Sequence, residues 1–185
     1  PGGMLTCAIP RYRLPRQVIE AEMKRITELA AEVRYGTAIG GDLSIEELAR
    51  DFNAVYVAVG ARKSTPLKIE GEQASNVNSG LDFLRELSEG KTPALGNKVV
   101  VVGGGNTAVD AARAARRLGC DVTILYRRTA SEMPAYAAET EEALREGVKI
   151  EYLCAPVKFV LDGSNRASSV VCSKMKLSDA DESGR

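Results

Sequence analysis

At 185 residues the chain is long enough to bury a core of its own, as one domain or two. Charged residues make up 27%, and 25 basic side chains balance 25 acidic ones, so nothing favours nucleic acid or a membrane surface as a partner. Histidine is absent, which excludes imidazole acid–base catalysis, His-dependent triads and His-ligated metal sites; chemistry here would fall to a cofactor.

Cys7, Cys120, Cys154 and Cys172 are scattered without a CxxC pair, which argues against a metal, an iron–sulfur cluster or a redox dithiol within the chain. Small buried thiols in a reducing cytoplasm are the simple reading. No apolar run reaches membrane-spanning length, and no basic-then-apolar leader is present.

The chain opens PGGMLTCAIPRYRLP, with no initiator methionine, and reads as a piece cut from the middle of a larger protein. Gly2-Gly3 implies a tight turn or a close backbone approach. Pro10 and Pro15 bracket what reads as a short extended segment carrying Arg11 and Arg13. From Arg16 the pattern is helical, with Val18, Ile19, Met23, Ile26 and Leu29 on one face, fading near Ala31. Residues 33–35 read as a short strand. Ser44 heads a brief helix, with Glu47 at capping-box spacing, that runs to about Asp51. Residues 54–59 (AVYVAV) read as a buried strand ending on Gly60, and 62–72 as a polar crossover. An amphipathic helix over 81–87 follows Ser79-Gly80.

The stretch 97–128, NKVVVVGGGNTAVDAARAARRLGCDVTILYRR, organises the rest. Four valines suit a strand covered on both faces, as in a parallel sheet. Gly103, Gly104 and Gly105 then lead through Asn106 and Thr107 into a helix to Leu118, and 122–126 forms a second strand. Strand, glycine turn, helix and strand within about thirty residues is the dinucleotide-binding βαβ pattern. Gly103 permits the turn, Gly105 lets a pyrophosphate near the backbone, and Ala108 stands where a small residue allows close helix–strand packing. The phosphates would lie over the free N–H groups of the helix N-terminus. Where an NAD site usually carries a carboxylate, the second strand ends on Arg127-Arg128, and two guanidinium forks suit the 2′-phosphate of NADP(H).

Beyond it, an acidic helix over 137–146 is stopped by Gly147. Residues 148–154 and 157–161 read as successive strands with Pro156 between them. Asp162-Gly163 is a turn signal, and 168–177 supplies a further strand. The tail SDADESGR is polar and unpatterned, and is expected to be mobile.

The words GGMLTCAIPRYRLP, NAVYVAVG, VVVVGGGNTAVDAARAARRLG, YRRTASEMPA and KMKLSDADESGR together resemble the reductase family of the glutamate synthase small (beta) subunit. The flavin-containing front half of dihydropyrimidine dehydrogenase is similar, and adrenodoxin reductase more distantly so. The resemblance implies an α/β fold: a Rossmann-like NAD(P)-binding three-layer domain with a β-meander over 62–185, and an incomplete FAD-binding domain over 1–61 that lacks its own dinucleotide fingerprint. It implies that the full protein passes hydride from NADPH to FAD, and electrons on through iron–sulfur clusters outside this chain to a large catalytic partner subunit. The piece alone would be inactive.

By the same resemblance Gly104, Gly105, Asn106 and Thr107 match the NADPH pyrophosphate loop, and Arg127 and Arg128 the 2′-phosphate clasp. Glu139 matches an acid near the nicotinamide, and as a plain reading is one of several acids on a solvated helix face. Gly3 and Met4 match a stretch approaching the flavin nucleotide, Arg13 a basic FAD contact, Ile39 a backbone contact to its adenine side, and Gly60 the glycine closing an FAD-domain strand. Three rivals stand beside this reading: a ferredoxin:NADP oxidoreductase or sulfide dehydrogenase type subunit, a non-redox nucleotide-binding module, and a short-chain dehydrogenase. The last needs a Tyr-xxx-Lys pair, and residues 130, 140 and 156, four beyond the candidate tyrosines, are Ala, Thr and Pro.

Overall fold

Residues 121–126 form the most deeply buried strand in the molecule. Strand β2 (Asp121–Tyr126) leaves Val122 and Ile124 without solvent exposure, because it is the central strand of three. β1 (Lys98–Val102) pairs with it on one side and β3 (Lys149–Tyr152) on the other, both parallel, in the order β1-β2-β3. Ile124 faces Val101 in one neighbour and Ile150 in the other. The computed structural model describes residues 2–61 and 63–177.

Ahead of this sheet come α1 (Gly3–Cys7), α2 (Arg16–Thr27), α3 (Ile45–Asp51) and α4 (Gly80–Ser88). α5 (Asn106–Arg117) crosses from β1 to β2, a 3-10 turn occupies Ala130–Glu132, and α6 (Ala137–Arg145) leads into β3. Helix α5 packs on β1 and β2, with α4 and α6 against it. Its inward face is nearly all alanine, and Ala112 and Ala115 are sealed from solvent beside Val109. Phe83 and Leu84 from α4, Ala143 from α6, and Val148 complete the core. Small side chains let the helix axes approach, so burial is achieved without bulk.

Gly147 ends α6 in the left-handed region (φ +88), and the Arg116 guanidinium presses against it, leaving only 3.2 Å to a Cβ that any other residue would add. Arg116 also donates to the carbonyls of Glu146 and Cys120 at 2.9 and 3.0 Å, so it ties the end of α6 to the end of α5. A side-chain cation suits these carbonyl-rich helix ends.

Of the three successive strands expected after α6, the first joins the parallel sheet. The other two, β4 (Cys154–Leu161) and β5 (Ala167–Lys174), form a separate antiparallel hairpin. Leu153, at φ +53, is the corner between β3 and β4. Pro156 lies inside β4 at a bulge rather than between strands, which is where a residue without an N–H is tolerated. Asn76 grips the hairpin by a reciprocal pair of bonds to the Ala167 backbone, at 2.9 and 2.7 Å. The tail from residue 178 on, expected to be mobile, lies outside the described residues, as does Arg62 at the head of the crossover.

Helix α3 forms as expected, with the Ser44/Glu47 capping box closed in both directions, whereas α2 ends at Thr27, short of Ala31, and leaves Leu29 outside it and exposed. Other expectations differ. Residues 2–7 hold a short helix, begun by Gly2 and Gly3 at positive φ. The Pro10–Pro15 segment is a turn, with Arg13 and Leu14 N–H groups bonded to the Pro10 carbonyl at 2.9 and 3.1 Å. A proline ring fixed near φ −65° starts a turn as readily as an extended run. Residues 33–35 and 54–59 are not strands. A strand exists through hydrogen bonds to a neighbour, neither stretch has one among the described residues, and Tyr56 stands 93% exposed. β1 is covered on one face only: as an edge strand it leaves Val100 exposed.

Replacing Ile124 by Ala should cost about 2–5 kcal/mol, since no solvent or mobile side chain can fill the space. Urea unfolding should show a lower midpoint with an unchanged slope.

Candidate functional site

The glycine triplet turns the chain off β1, and its three positions differ in what surrounds them. Gly103 sits at φ +132, a conformation L side chains rarely adopt, and donates its N–H to the Leu125 carbonyl at 3.0 Å. A Cβ there would meet Ala108 at 3.5 Å, an ordinary contact, so the fingerprint's small residue does lie against the turn. Gly104 has no room at all: a Cβ would stand 2.5 Å from the Tyr126 ring. Gly105 faces open space and is the N-cap of α5.

Around that open space the backbone N–H groups of Gly104, Gly105, Asn106 and Thr107 have no acceptor among the described residues. Asn106 turns its side chain the other way, and its Oδ1 accepts from Tyr136 N at 3.0 Å. Ala135 N donates to the Gly104 carbonyl at 3.1 Å. These two bonds fix the 133–136 segment against the loop and aim the loop's donors outward. A helix N-terminus with aligned, unspent donors is suited to an anion.

Arg127 and Arg128 follow β2. Arg127 is exposed and Arg128 half-buried, and neither guanidinium has a hydrogen bond or ion pair among the described residues. The nearest acid in sequence, Glu132, is engaged elsewhere. It takes the Thr129 hydroxyl, the Thr129 N–H at 3.0 Å and the Ser131 hydroxyl at 2.9 Å, and the Thr129 hydroxyl above all holds it below the usual carboxylate range. Tyr126 links the two halves of this region, its ring lying over Gly104 and its hydroxyl donating to the Glu132 carbonyl at 2.5 Å.

Glu139, in the first turn of α6, is not on a solvated face. It pairs with Arg113 of α5 and stands 2.9 Å from Arg13 Nε. Arg13 Nη1 donates to both oxygens of Asp110 at 2.7 Å, and Asp110 is buried on α5 one turn beyond Asn106. Burial pushes the Asp110 carboxyl above its ordinary value, and Arg13 pulls it part of the way back. Arg113 and Arg117 both bond Glu146, at 2.7 and 2.6 Å, and hold it at about 2, with burial opposing. Tyr12 lies under those two guanidinium groups, and burial raises its hydroxyl to about 12.

Gly3 and Met4 begin α1, Ile39 makes an isolated bridge to Leu43, and Gly60 is exposed at φ +69. No hydrogen bond or ion pair joins these four to the glycine loop among the described residues. A cavity of about 550 Å³ lined by Pro66, Ile69, Gly71, Ala74 and Leu161 lies against the hairpin, away from the loop. Tyr12, Asp110, Arg113, Arg117 and Glu146 were not singled out by sequence reasoning. The signal present was a set of charges on an otherwise all-alanine helix face, AARAARR.

The pyridine nucleotide-disulphide oxidoreductase family matches residues 14–182. The chain belongs to that family. It is 42% identical over its whole length to the NADPH-Fe(3+) oxidoreductase subunit beta of Geobacter sulfurreducens (strain DL-1 / KN400), of which it spans 28%. It is 32% identical, again over its whole length, to the glutamate synthase [NADPH] small chain of Escherichia coli (strain K12), of which it spans 42%. The fold matches that of Mycobacterium tuberculosis FprA in complex with NADPH with a TM-score of 0.83 at 20% identity, over the whole of this chain and 57% of that one. Among the described residues no helix is long and apolar enough to cross a membrane.

The Glu146 clamp gives a pH signature. Its folded value of about 2 lies below the ordinary 4.5, so its stabilisation is fully present above pH 4.5 and is lost as pH falls towards 2. Glu146→Gln should flatten the acid limb of a stability–pH curve measured by urea unfolding across that window.

Proposed function

We propose that residues 62–185 bind NADPH, with the pyrophosphate over the N-terminus of α5 and the 2′-phosphate between Arg127 and Arg128. The observation that carries this reading is the pair of unneutralised guanidinium groups at the end of β2, beside four unspent backbone donors. The residues fit the ligand. The space a Cβ at Gly105 would fill is free for a phosphate, and two planar forks suit a phosphate monoester dianion.

The chemistry NADPH supplies is a hydride. No side chain of this chain need act as general acid or base; its work is alignment and charge balance. The loop donors orient the pyrophosphate, and the arginine pair selects the phosphorylated ribose. The Asn106 and Gly104 contacts to residues 135–136 keep the loop from swinging when the anion binds.

On the same reading, residues 1–61 belong to an FAD-binding domain, with Gly3, Met4, Ile39 and Gly60 on its cofactor side, while the Arg13 guanidinium, expected as an FAD contact, is spent on Asp110 and Glu139. The full protein is then an NADPH-dependent flavoprotein reductase whose electrons leave through iron–sulfur centres to a larger partner subunit. Four free cysteines suit a cytoplasmic setting. The partner could follow the glutamate synthase pattern or that of another electron-transfer complex. The 42% identity to an NADPH-Fe(3+) oxidoreductase subunit, against 32% to the glutamate synthase small chain, favours the second.

Fluorescence titration should show NADPH binding more tightly than NADH. Arg127→Ala with Arg128→Ala should weaken NADPH by on the order of 100-fold and leave NADH nearly unchanged, since a charge-assisted hydrogen bond is worth about 1.5–3 kcal/mol. Equal affinities for the two nucleotides in the parent chain would overturn the assignment.

A further inference from the structure

Three consecutive side chains of the 10–15 turn reach three different helices. Arg11 Nη2 donates to the Ser88 carbonyl at the C-terminal end of α4, at 3.0 Å. The Tyr12 ring lies 3.8 Å from Arg117 Cζ and 4.9 Å from Arg113 Cζ, both on α5. Arg13 grips both oxygens of Asp110 on α5 and reaches Glu139 on α6. We propose that Arg11-Tyr12-Arg13 is a positioning anchor that docks residues 2–61 on the α4–α5–α6 face and fixes their orientation to the glycine loop.

Two observations make this more than one surface ion pair. Among residues 2–61 only Ala8 and Ile19 are buried, so apolar burial contributes little to holding this part in place. Arg13 and Asp110, by contrast, have side chains only 16% and 5% exposed, which makes their pairing costly to break on one side alone. Arg13 also reaches two helices at once: its Nη1 bonds both oxygens of Asp110 on α5, and its Nε stands 2.9 Å from Glu139 on α6. A turn seated this way has one orientation, whereas a flexible lysine would permit several.

The anchor itself stands on geometry alone; its consequence for a bound nucleotide rests on the NADPH reading above. Asp110 is on the helix whose N-terminus makes the loop, so the anchor sets where residues 2–61 stand relative to a nucleotide there without touching it.

Hydrogen exchange on the 185-residue chain, combined with NADPH titration, tests this. In Arg13→Met, amides of 16–27 should exchange at least about tenfold faster, because exchange reports local opening, while amides of 121–126 in β2 keep their protection. Arg13→Met with Asp110→Asn removes both charges together, avoids an orphaned carboxylate, and should show the same acceleration. Arg13→Lys should restore protection only in part. NADPH affinity should stay within about twofold in the double variant, as for sites that do not couple. Unchanged exchange over 16–27 would overturn the anchor, and so would loss of NADPH binding, which would place the pair in the nucleotide site instead. If the parent chain binds no NADPH, the nucleotide reading fails and the exchange measurement still decides the anchor.

Discussion

Six charged side chains alternate in sign from the N-terminal turn across two helices: Asp110, Arg13, Glu139, Arg113, Glu146 and Arg117. Three positive and three negative charges make the chain neutral, and most of it is withdrawn from solvent. Neutrality is the constraint that matters, because a buried charge left without its partner costs about 3–5 kcal/mol. No member can move independently, so the angle between α5 and α6 and the seat of the 10–15 turn are set by one network. The alanine face of α5 makes this geometry available. It brings the helices close on one side, and the arginines emerge from the same helix to fill the gap on the other.

The βαβ unit was legible because its determinants are local. β-branched residues, a glycine turn and an alanine-rich helix each specify their own conformation, and α5 ends within a residue of where the pattern places it. The charged network was not legible. Arg13 and Asp110 are 97 residues apart, and nothing in either neighbourhood marks the other. Glu139 shows the same limit: the sequence places it on a helix with several acids, and only the packing of α5 separates it from those in solvent. The missing strands at 33–35 and 54–59 fail for a related reason. Their composition is right for strands, but pairing is a property of the neighbour, not of the segment.

Tyr126 shows how a local and a long-range requirement meet. As the last residue of β2 it is an unremarkable aromatic in a strand. In three dimensions its ring lies where any side chain at position 104 would go, and its hydroxyl ties down the turn carrying Glu132. The middle glycine of the triplet is thus explained by packing from the far strand and Gly103 by backbone conformation, whereas Gly105, at φ −87 with open space beside it, is required by neither.

The same charge accounting decides which arginines are free to meet a ligand. Arg113 and Arg117 are neutralised by Glu139 and Glu146, Arg116 is spent on two carbonyls, and Arg145 is paired within its own helix. Glu132, the acid closest in sequence to Arg127 and Arg128, is folded back on the Thr129 and Ser131 hydroxyls. The fold thus uses its carboxylates to satisfy the cations it needs for structure and withholds them from the two at the end of β2.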